Sequence, residues 1–272
     1  MPILHAIVLG ITQGLSEFLP ISSSGHLILV PWLFGWEDFA GDASLEKTFD
    51  VALHLGTLVG ATAYFRADIV RYLRAALTSS GRGTNDRRLA WLLVAATVPA
   101  ALTGALFADA IEEHTGSIPL VATMLIVFGV LLWWADRLPS ARPLEDVRVR
   151  DALFMGAGQA IALQPGVSRS GVSMTFGRMA GLGREGAARF AFLMSLPITA
   201  GALVFKWVDV SSEGGIPDGF VAPFVWGIVA SGITGWLAVW GTLKIVKTHS
   251  FTPFVIYRIT VGVGVLLLYA LR

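Results

Sequence analysis

The stretch Gly10-Ile-Thr-Gln13-Gly-Leu-Ser-Glu17-Phe-Leu-Pro20-Ile-Ser22-Ser23-Ser24-Gly25-His26 returns 146 residues later as Gly156-Ala-Gly-Gln159-Ala-Ile-Ala-Leu163-Gln-Pro165-Gly-Val-Ser168-Arg169-Ser170-Gly171-Val172. Gly10, Gln13, Ser22, Ser24 and Gly25 each find the same residue at the partner position, without a gap. A fainter echo at an offset of 141 pairs Phe49 with Phe190, Leu55 with Leu196 and Gly60 with Gly201. Two halves, 1–136 and 152–272, therefore share an origin and are joined by a basic segment, 137–151, within a single membrane domain. The site is expected where the repeated Ser/Gly segments meet.

With 54% hydrophobic and only 14% charged residues and a mean hydropathy of +0.68, the chain is too apolar for an ordinary soluble domain. It reads as an integral membrane protein. No basic n-region precedes the first apolar run and no small-residue cleavage site follows it, so residues 1–19 are expected to be mature protein. The absence of cysteine excludes thiolate metal sites, disulfides and cysteine nucleophiles. A formal charge of +1 says little about partners, since in a membrane protein the distribution of charge between loops is what informs; the bilayer, and no nucleic acid, is the surrounding expected.

Six stretches are long and apolar enough to cross a bilayer as helices: 49–65, 89–107, 118–136, 188–206, 220–243 and 252–271. The repeated segments do not fit that template. Apolar runs 3–19 and 27–36 are split by Pro20 and the Ser22–Gly25 cluster, and runs 152–163 and 172–182 by Pro165-Gly166 and Ser168–Gly171. Each pair predicts a helical hairpin that dips into the membrane and returns to the same side. Arginines crowd the connections 66–88 and 137–150, with Arg178, Arg184 and Arg189 around Gly183 and Lys244 and Lys247 further on. The alternate connections are acidic, with Asp109, Glu112 and Glu113 in one and Asp209, Glu213 and Asp218 in the other. The positive-inside rule puts the basic set in the cytoplasm and both chain ends outside. Each half then contributes one hairpin and three spans, an odd number, so the second half is inserted upside down. The predicted fold is an all-α polytopic membrane protein with an inverted-topology repeat whose two hairpin tips meet near the midplane.

Irregular backbone at that depth must border something polar. Each tip offers hydroxyls and free N–H groups at the start of a short helix, where the dipole favours an anion. Ser22 and Ser24 in one tip, and Ser168 and Ser170 in the other, are the hydroxyl candidates; taken singly, Ser22, Ser24 and Ser170 read better as residues of close helix packing. Arg169 carries a planar fork matched to phosphate oxygens and needs a compensating partner inside a membrane. Gln13 and Glu17 lie one turn apart, and Ser23 and His26 three residues apart beyond the break, so a carboxylate, a hydroxyl and an imidazole converge on one tip. Glu17, with Gln13, is a candidate to hold a divalent cation jointly with substrate phosphates. His26 is a candidate base, acid or nucleophile. The plainer alternative makes Glu17 the counter-ion of Arg169 and His26 a cap. At the offset of 146, Ser23 corresponds to Arg169, Glu17 to Leu163 and His26 to Val172, so acid–base groups are confined to the first half and the anion clamp to the second. Asp50, His54 and Thr57 share one helical face and are expected mainly to satisfy one another. His5, His114 and His249 lie near membrane surfaces and read as incidental.

The runs Gln13-Gly-Leu-Ser-Glu17, Phe-Leu-Pro20-Ile-Ser-Ser-Ser-Gly-His26 and Pro165-Gly-Val-Ser-Arg-Ser-Gly-Val-Ser173 resemble the two motifs of the bacterial undecaprenyl-diphosphate phosphatases, also called bacitracin resistance proteins. The likeness covers the whole chain in length, span pattern and motif order. It implies hydrolysis of undecaprenyl diphosphate to undecaprenyl phosphate and inorganic phosphate, dependent on Mg²⁺ or Ca²⁺, in the bacterial inner membrane with the site opening outward. It implies further that Glu17 is the essential acid, Ser23 and His26 the nucleophile and acid–base candidates, and Ser168, Arg169 and Ser173 diphosphate-binding groups. The family's first motif opens on Glu or Gln, here Gln13; its second normally closes on Thr, and Ser173 keeps the hydroxyl without the methyl.

In the favoured mechanism Arg169 and a metal spread charge on the transferred phosphoryl while Ser23 attacks with His26 as base; direct attack by His26, or by water activated by His26 and Glu17, stays open. The polyprenyl tail enters sideways from lipid. The rival reading is a transporter or flippase of a lipid phosphate, because inverted repeats with broken helices are transporter architecture. A homodimer is left open. The charge pattern makes a direct topological prediction: single cysteines at Glu37 and Glu113 are labelled by an impermeant reagent outside intact cells and one at Gly83 is not, and labelling at Gly83 overturns the scheme.

Overall fold

The computed structural model describes residues 1–212 and 216–272, with the side chains of 108–115 and 206–212 outside the description. The acidic residues Asp109, Glu112, Glu113, Asp209 and Glu213, and His114, fall among these. The regular structure of the described residues is all helical apart from one isolated bridge between Arg142 and Leu182. Ten α-helices follow in order: α1 Ile3–Phe18, α2 Ser23–Phe34, α3 Ala43–Leu77, α4 Asn85–Thr115, α5 Ile118–Asp136, α6 Val149–Ile161, α7 Arg169–Met179, α8 Arg184–Ser212, α9 Val221–Val246 and α10 Thr252–Leu271. A short pair followed by three long helices occurs twice, as the repeat requires.

Five helical stretches are long and apolar enough to span a bilayer: Asn85–Phe107, Ile118–Asp136, Arg184–Phe205, Asp218–Val246 and Thr252–Leu271. The sixth expected span, 49–65, lies inside the 35-residue α3, whose mean hydropathy is lowered by polar residues facing the protein and by the basic turns after Phe65. The molecule is an all-α polytopic membrane protein.

Local chemistry sets the two breaks. Pro20 disfavours helix at the residue before it, so α1 stops and Leu19 is extended at φ −67°, ψ 140°. The next helix starts earlier than the apolar pattern suggests, at Ser23 and not at Leu27, because the Ser22 hydroxyl caps it by accepting from Gly25 N–H at 3.3 Å. In the second hairpin Ser168 does the same for Gly171 at 3.0 Å, and α7 starts at Arg169. The two caps share an uncommon backbone: Ser22 has φ 79°, ψ 98° and Ser168 φ 75°, ψ 111°. Such a conformation costs a non-glycine residue about 1–3 kcal/mol and persists only where the surroundings enforce it.

Packing exchanges the halves. The first helix of each hairpin lies against the second long helix of the other half, α1 on α9 and α6 on α4, while α5 pairs with α10 and α3 with α8. The approach is close enough to require glycine. A Cβ on Gly10 would stand 2.5 Å from the Gly227 carbonyl oxygen, and one on its repeat mate Gly156 would stand 2.3 Å from that of Ala96.

The joint between the tips is Arg258 of α10, wholly buried. Its guanidinium donates to Pro20 O at 3.1 Å in the first tip, to Gly166 O at 2.9 Å and Val167 O at 3.0 Å in the second, and to Leu125 O at 3.0 Å and Met124 O at 3.3 Å on α5. Three carbonyls that lie outside the helices, those of Pro20, Gly166 and Val167, are thereby satisfied by one side chain that also anchors on α5. An orphaned buried acceptor costs about 1–3 kcal/mol. Arg258→Met should therefore lower stability in detergent by several kcal/mol, and Arg258→Lys, with three donors in place of five, should recover only part. An unchanged thermal midpoint for Arg258→Met would show that the joint does not hold the fold.

Candidate active site

The tips touch directly. Gly166 N–H donates to Ser22 Oγ at 3.1 Å, and Ser170 Oγ donates to Leu19 O at 3.0 Å while lying 3.2 Å from Ser168 Oγ. At this contact the carboxylate of Glu17, from the last turn of α1, gathers donors from three elements and the edge of a ring from a fourth. Its Oε1 accepts from the Arg169 guanidinium of α7. Its Oε2 accepts from Ser23 Oγ of α2 at 2.6 Å and from Gln13 Nε2 at 3.1 Å, and lies 3.6 Å from His54 Nε2 of α3. Glu17 is 5% exposed and Arg169 24%, so the cation has open surface beyond the pair.

Sequence reasoning paired Ser23 with His26. The structure gives them different partners. His26 Nδ1 lies 2.7 Å from the Ser22 carbonyl oxygen, which can only accept, so Nδ1 carries the proton and Nε2 accepts from Tyr257 OH at 2.8 Å. The two rings stack with centroids 5.6 Å apart. His26 thus fixes the strained Ser22 turn, and the Ser23 hydroxyl belongs to Glu17. Glu17 is paired with Arg169, as the plainer reading has it, and it also accepts from Ser23, a contact that the sequence did not suggest.

The remaining candidates divide. Ser24 is half-buried near the start of α2, whose first N–H groups have no acceptor within the helix. Ser173 is 1% exposed, one turn beyond Arg169, and its hydroxyl has no partner among the described residues. Gln13 is fully buried, and while its Nε2 reaches Glu17 its Oε1 is unpartnered. That orphaned amide oxygen beside a carboxylate suits a hard cation. No group of three or more His, Asp or Glu gathers as a metal centre among the described residues, so a cation here needs oxygens from the substrate as well. His5 pairs with Asp38 and stacks on Trp36, and His249 meets Thr248, both apart from the tips.

The profile of the family described as bacitracin resistance protein BacA matches residues 6–264. The chain belongs to this family. Proteins described as undecaprenyl-diphosphatase are similar along nearly their whole length: one from Pelotomaculum thermopropionicum is 45% identical over all of this chain and 98% of its own, and one from Geobacter sulfurreducens is 46% identical over 98% of each. A third, from Pelobacter propionicus, is 48% identical over 96% of this chain and 95% of its own.

Three residues at the site were not singled out from sequence: His54 as a neighbour of Glu17, Tyr257 and Arg258. For Arg258 a signal was present, because it is the single charge in the apolar stretch 252–271. Asp50, His54 and Thr57 do meet one another, but on main-chain oxygens. His54 Nδ1 meets the Asp50 backbone oxygen at 2.7 Å, and Thr57 Oγ1 donates to the His54 backbone oxygen at 2.9 Å.

The Glu17–Arg169 pair generates a test. Arg169→Ala should insert normally yet lower turnover about 10³-fold, the scale of a phosphoryl-clamping arginine. Arg169→Lys should rescue only part of that, since a point charge lacks the fork. Full activity in the lysine variant would show that charge alone suffices.

Proposed function

We propose that this protein hydrolyses undecaprenyl diphosphate to undecaprenyl phosphate and inorganic phosphate, recycling the lipid carrier of cell-wall synthesis in the bacterial inner membrane. Membership of the family supports the reaction. The observation that carries it to this chain's own residues is the serine hydroxyl held at 2.6 Å on a carboxylate that an arginine also grips. A binding clamp needs the arginine. It has no need of a hydroxyl aligned on an acceptor, and this favours hydrolysis over transport, which architecture alone cannot decide.

The terminal phosphate enters against the exposed side of Arg169 and competes with Glu17 for the guanidinium. As that grip loosens, Glu17 becomes the better acceptor for the Ser23 proton, and Ser23 Oγ attacks the terminal phosphorus. Arg169 and the first N–H groups of α2 and α7 take up charge on the transferred oxygens. His26, fixed between Ser22 and Tyr257, keeps the turn that aims Ser23. Glu17 and the Gln13 amide oxygen are the residues that would hold Mg²⁺ or Ca²⁺ together with substrate oxygens, supplying charge neutralisation. The tail lies sideways in lipid. The halves are inserted with opposite orientation, with the basic ends of the helices in the cytoplasm and the tips opening to the outer side.

Phosphate release from undecaprenyl diphosphate by the purified protein in detergent tests this reading. Release should require Mg²⁺ or Ca²⁺ and stop on chelation, and Ser23→Ala should fall at least about 10³-fold. A substantially active Ser23→Ala protein would eliminate serine as nucleophile, leaving His26 or water, and no release from the intact protein would return the lipid-phosphate transporter.

A further inference from the structure

Tyr257 of α10 stands at the flank of the site, with an exposed ring and a committed hydroxyl. The residue is 41% exposed, whereas His26, on which its ring stacks at 14°, is 7% exposed. Its hydroxyl lies 2.8 Å from His26 Nε2. Tyr257 is also one of several side-chain ties between α10 and α2. Towards the other end of α2, Tyr269 packs on Trp32 with centroids 6.4 Å apart, and Arg272 lies over the same indole while donating to Trp32 O at 3.2 Å and Leu33 O at 3.3 Å. Because α2 begins with Ser23, the tie through His26 is the one nearest the candidate nucleophile.

The Tyr257 hydroxyl decides how the imidazole meets its other partner. Ser22 O accepts from the His26 main-chain N–H at 3.2 Å and lies 2.7 Å from Nδ1. A carbonyl oxygen offers lone pairs only, so this second bond forms only while Nδ1 carries the proton. With Tyr257 donating to Nε2, that tautomer satisfies both ring nitrogens. Without the hydroxyl, the same tautomer leaves a buried lone pair on Nε2 unpaired, and the opposite tautomer turns an Nδ1 lone pair on the Ser22 carbonyl. Either outcome weakens the grip on Ser22.

That grip has a direction. Ser22 holds φ 79° and ψ 98°, a conformation kept only by its surroundings. Gly25 N–H and Gly166 N–H hold its side chain, at 3.3 and 3.1 Å, whereas the imidazole holds its carbonyl. The Ser22 carbonyl and the Ser23 N–H share one peptide plane, so fixing the first orients the second. We propose that Tyr257 is a positioning residue of the hydrolysis: its hydroxyl selects the His26 tautomer that braces the Ser22–Ser23 peptide and so aims the Ser23 hydroxyl. This rests on the reading of Ser23 as nucleophile. In this role Tyr257 takes up no proton and forms no bond to substrate, and His26 keeps its Nδ1 proton throughout turnover.

The test joins kinetics of phosphate release to the nitrogen spectrum of the His26 ring. Tyr257→Phe keeps the ring and loses only the hydroxyl; its kcat should fall about tenfold with KM within about twofold, and its thermal midpoint in detergent should stay that of wild type. Placed on His26→Ala, the same change should lower kcat no further, because the hydroxyl acts only through that imidazole. In protein carrying isotope-labelled histidine, the His26 ring nitrogens, assigned by their loss in His26→Ala, should report a proton fixed on Nδ1 in wild type and a mixed or reversed tautomer in Tyr257→Phe. If His26→Ala does not insert, His26→Gln serves both comparisons. Wild-type kcat in Tyr257→Phe, an unchanged His26 tautomer, or a further loss in the double variant each overturns the proposal. Any of these beside an inactive Ser23→Ala enzyme removes the role of Tyr257 alone, whereas an active Ser23→Ala enzyme removes the serine mechanism and this role with it.

Discussion

Backbone that leaves a helix inside an apolar protein must have its carbonyls satisfied, and here one guanidinium meets that need for both breaks at once. Among the described residues Arg258 has no carboxylate partner; its five acceptors are main-chain oxygens from the first tip, the second tip and α5. A buried cation normally demands an anion. Five oriented dipoles replace it, and because they come from separate segments the arginine also fixes the distance between the hairpins. The site depends on that distance, since Glu17 belongs to one tip and Arg169 to the other.

Once the tips are fixed, Glu17 organises the chemistry. It is short of solvent and surrounded by donors, so each neighbour that approaches substrate does so by loosening its hold on this carboxylate. In the proposed mechanism this is how a weak nucleophile is prepared without an imidazole bonded to it. Ser23 is presented at the first position of α2, where its backbone N–H is also without an intrahelical acceptor, and the carboxylate reaches it from the end of the preceding helix.

The hairpins were legible because their signals are local: Pro20, Pro165 and the Ser/Gly clusters interrupt apolar runs too short to span a bilayer. The sequence puts the two helix starts at Leu27 and Val172, four and three residues late, because serines that cap and begin a helix look, in sequence, like loop. Gln13, Glu17, Ser23 and Arg169 were brought together as the repeat suggested. The partner of Ser23 was not, because a spacing of three residues between Ser23 and His26 says nothing about which carbonyl the imidazole will prefer. His54 and Tyr257 sit in uninterrupted helices, and their place beside the tips depends on α3 and α10 crossing there, a tertiary fact with no local trace. The acidic connections that oriented the topology lie partly outside the described residues, so the loop charges of the basic face carry that inference.

The matching backbone of Ser22 and Ser168 bears on how such a site arose. Had the ancestral half acted as a homodimer with its two tips meeting on the two-fold axis, every group offered from one side would have been offered from the other. A diphosphate being split is not symmetric: one phosphorus is attacked and the other departs. Joining two copies in one chain lifts that restriction, so one tip can keep carboxylate, serine and imidazole while its twin, in the same strained turn, exchanges serine for arginine. The two tips keep one turn in the main chain and part company in the side chains, where direction of reaction has to be written.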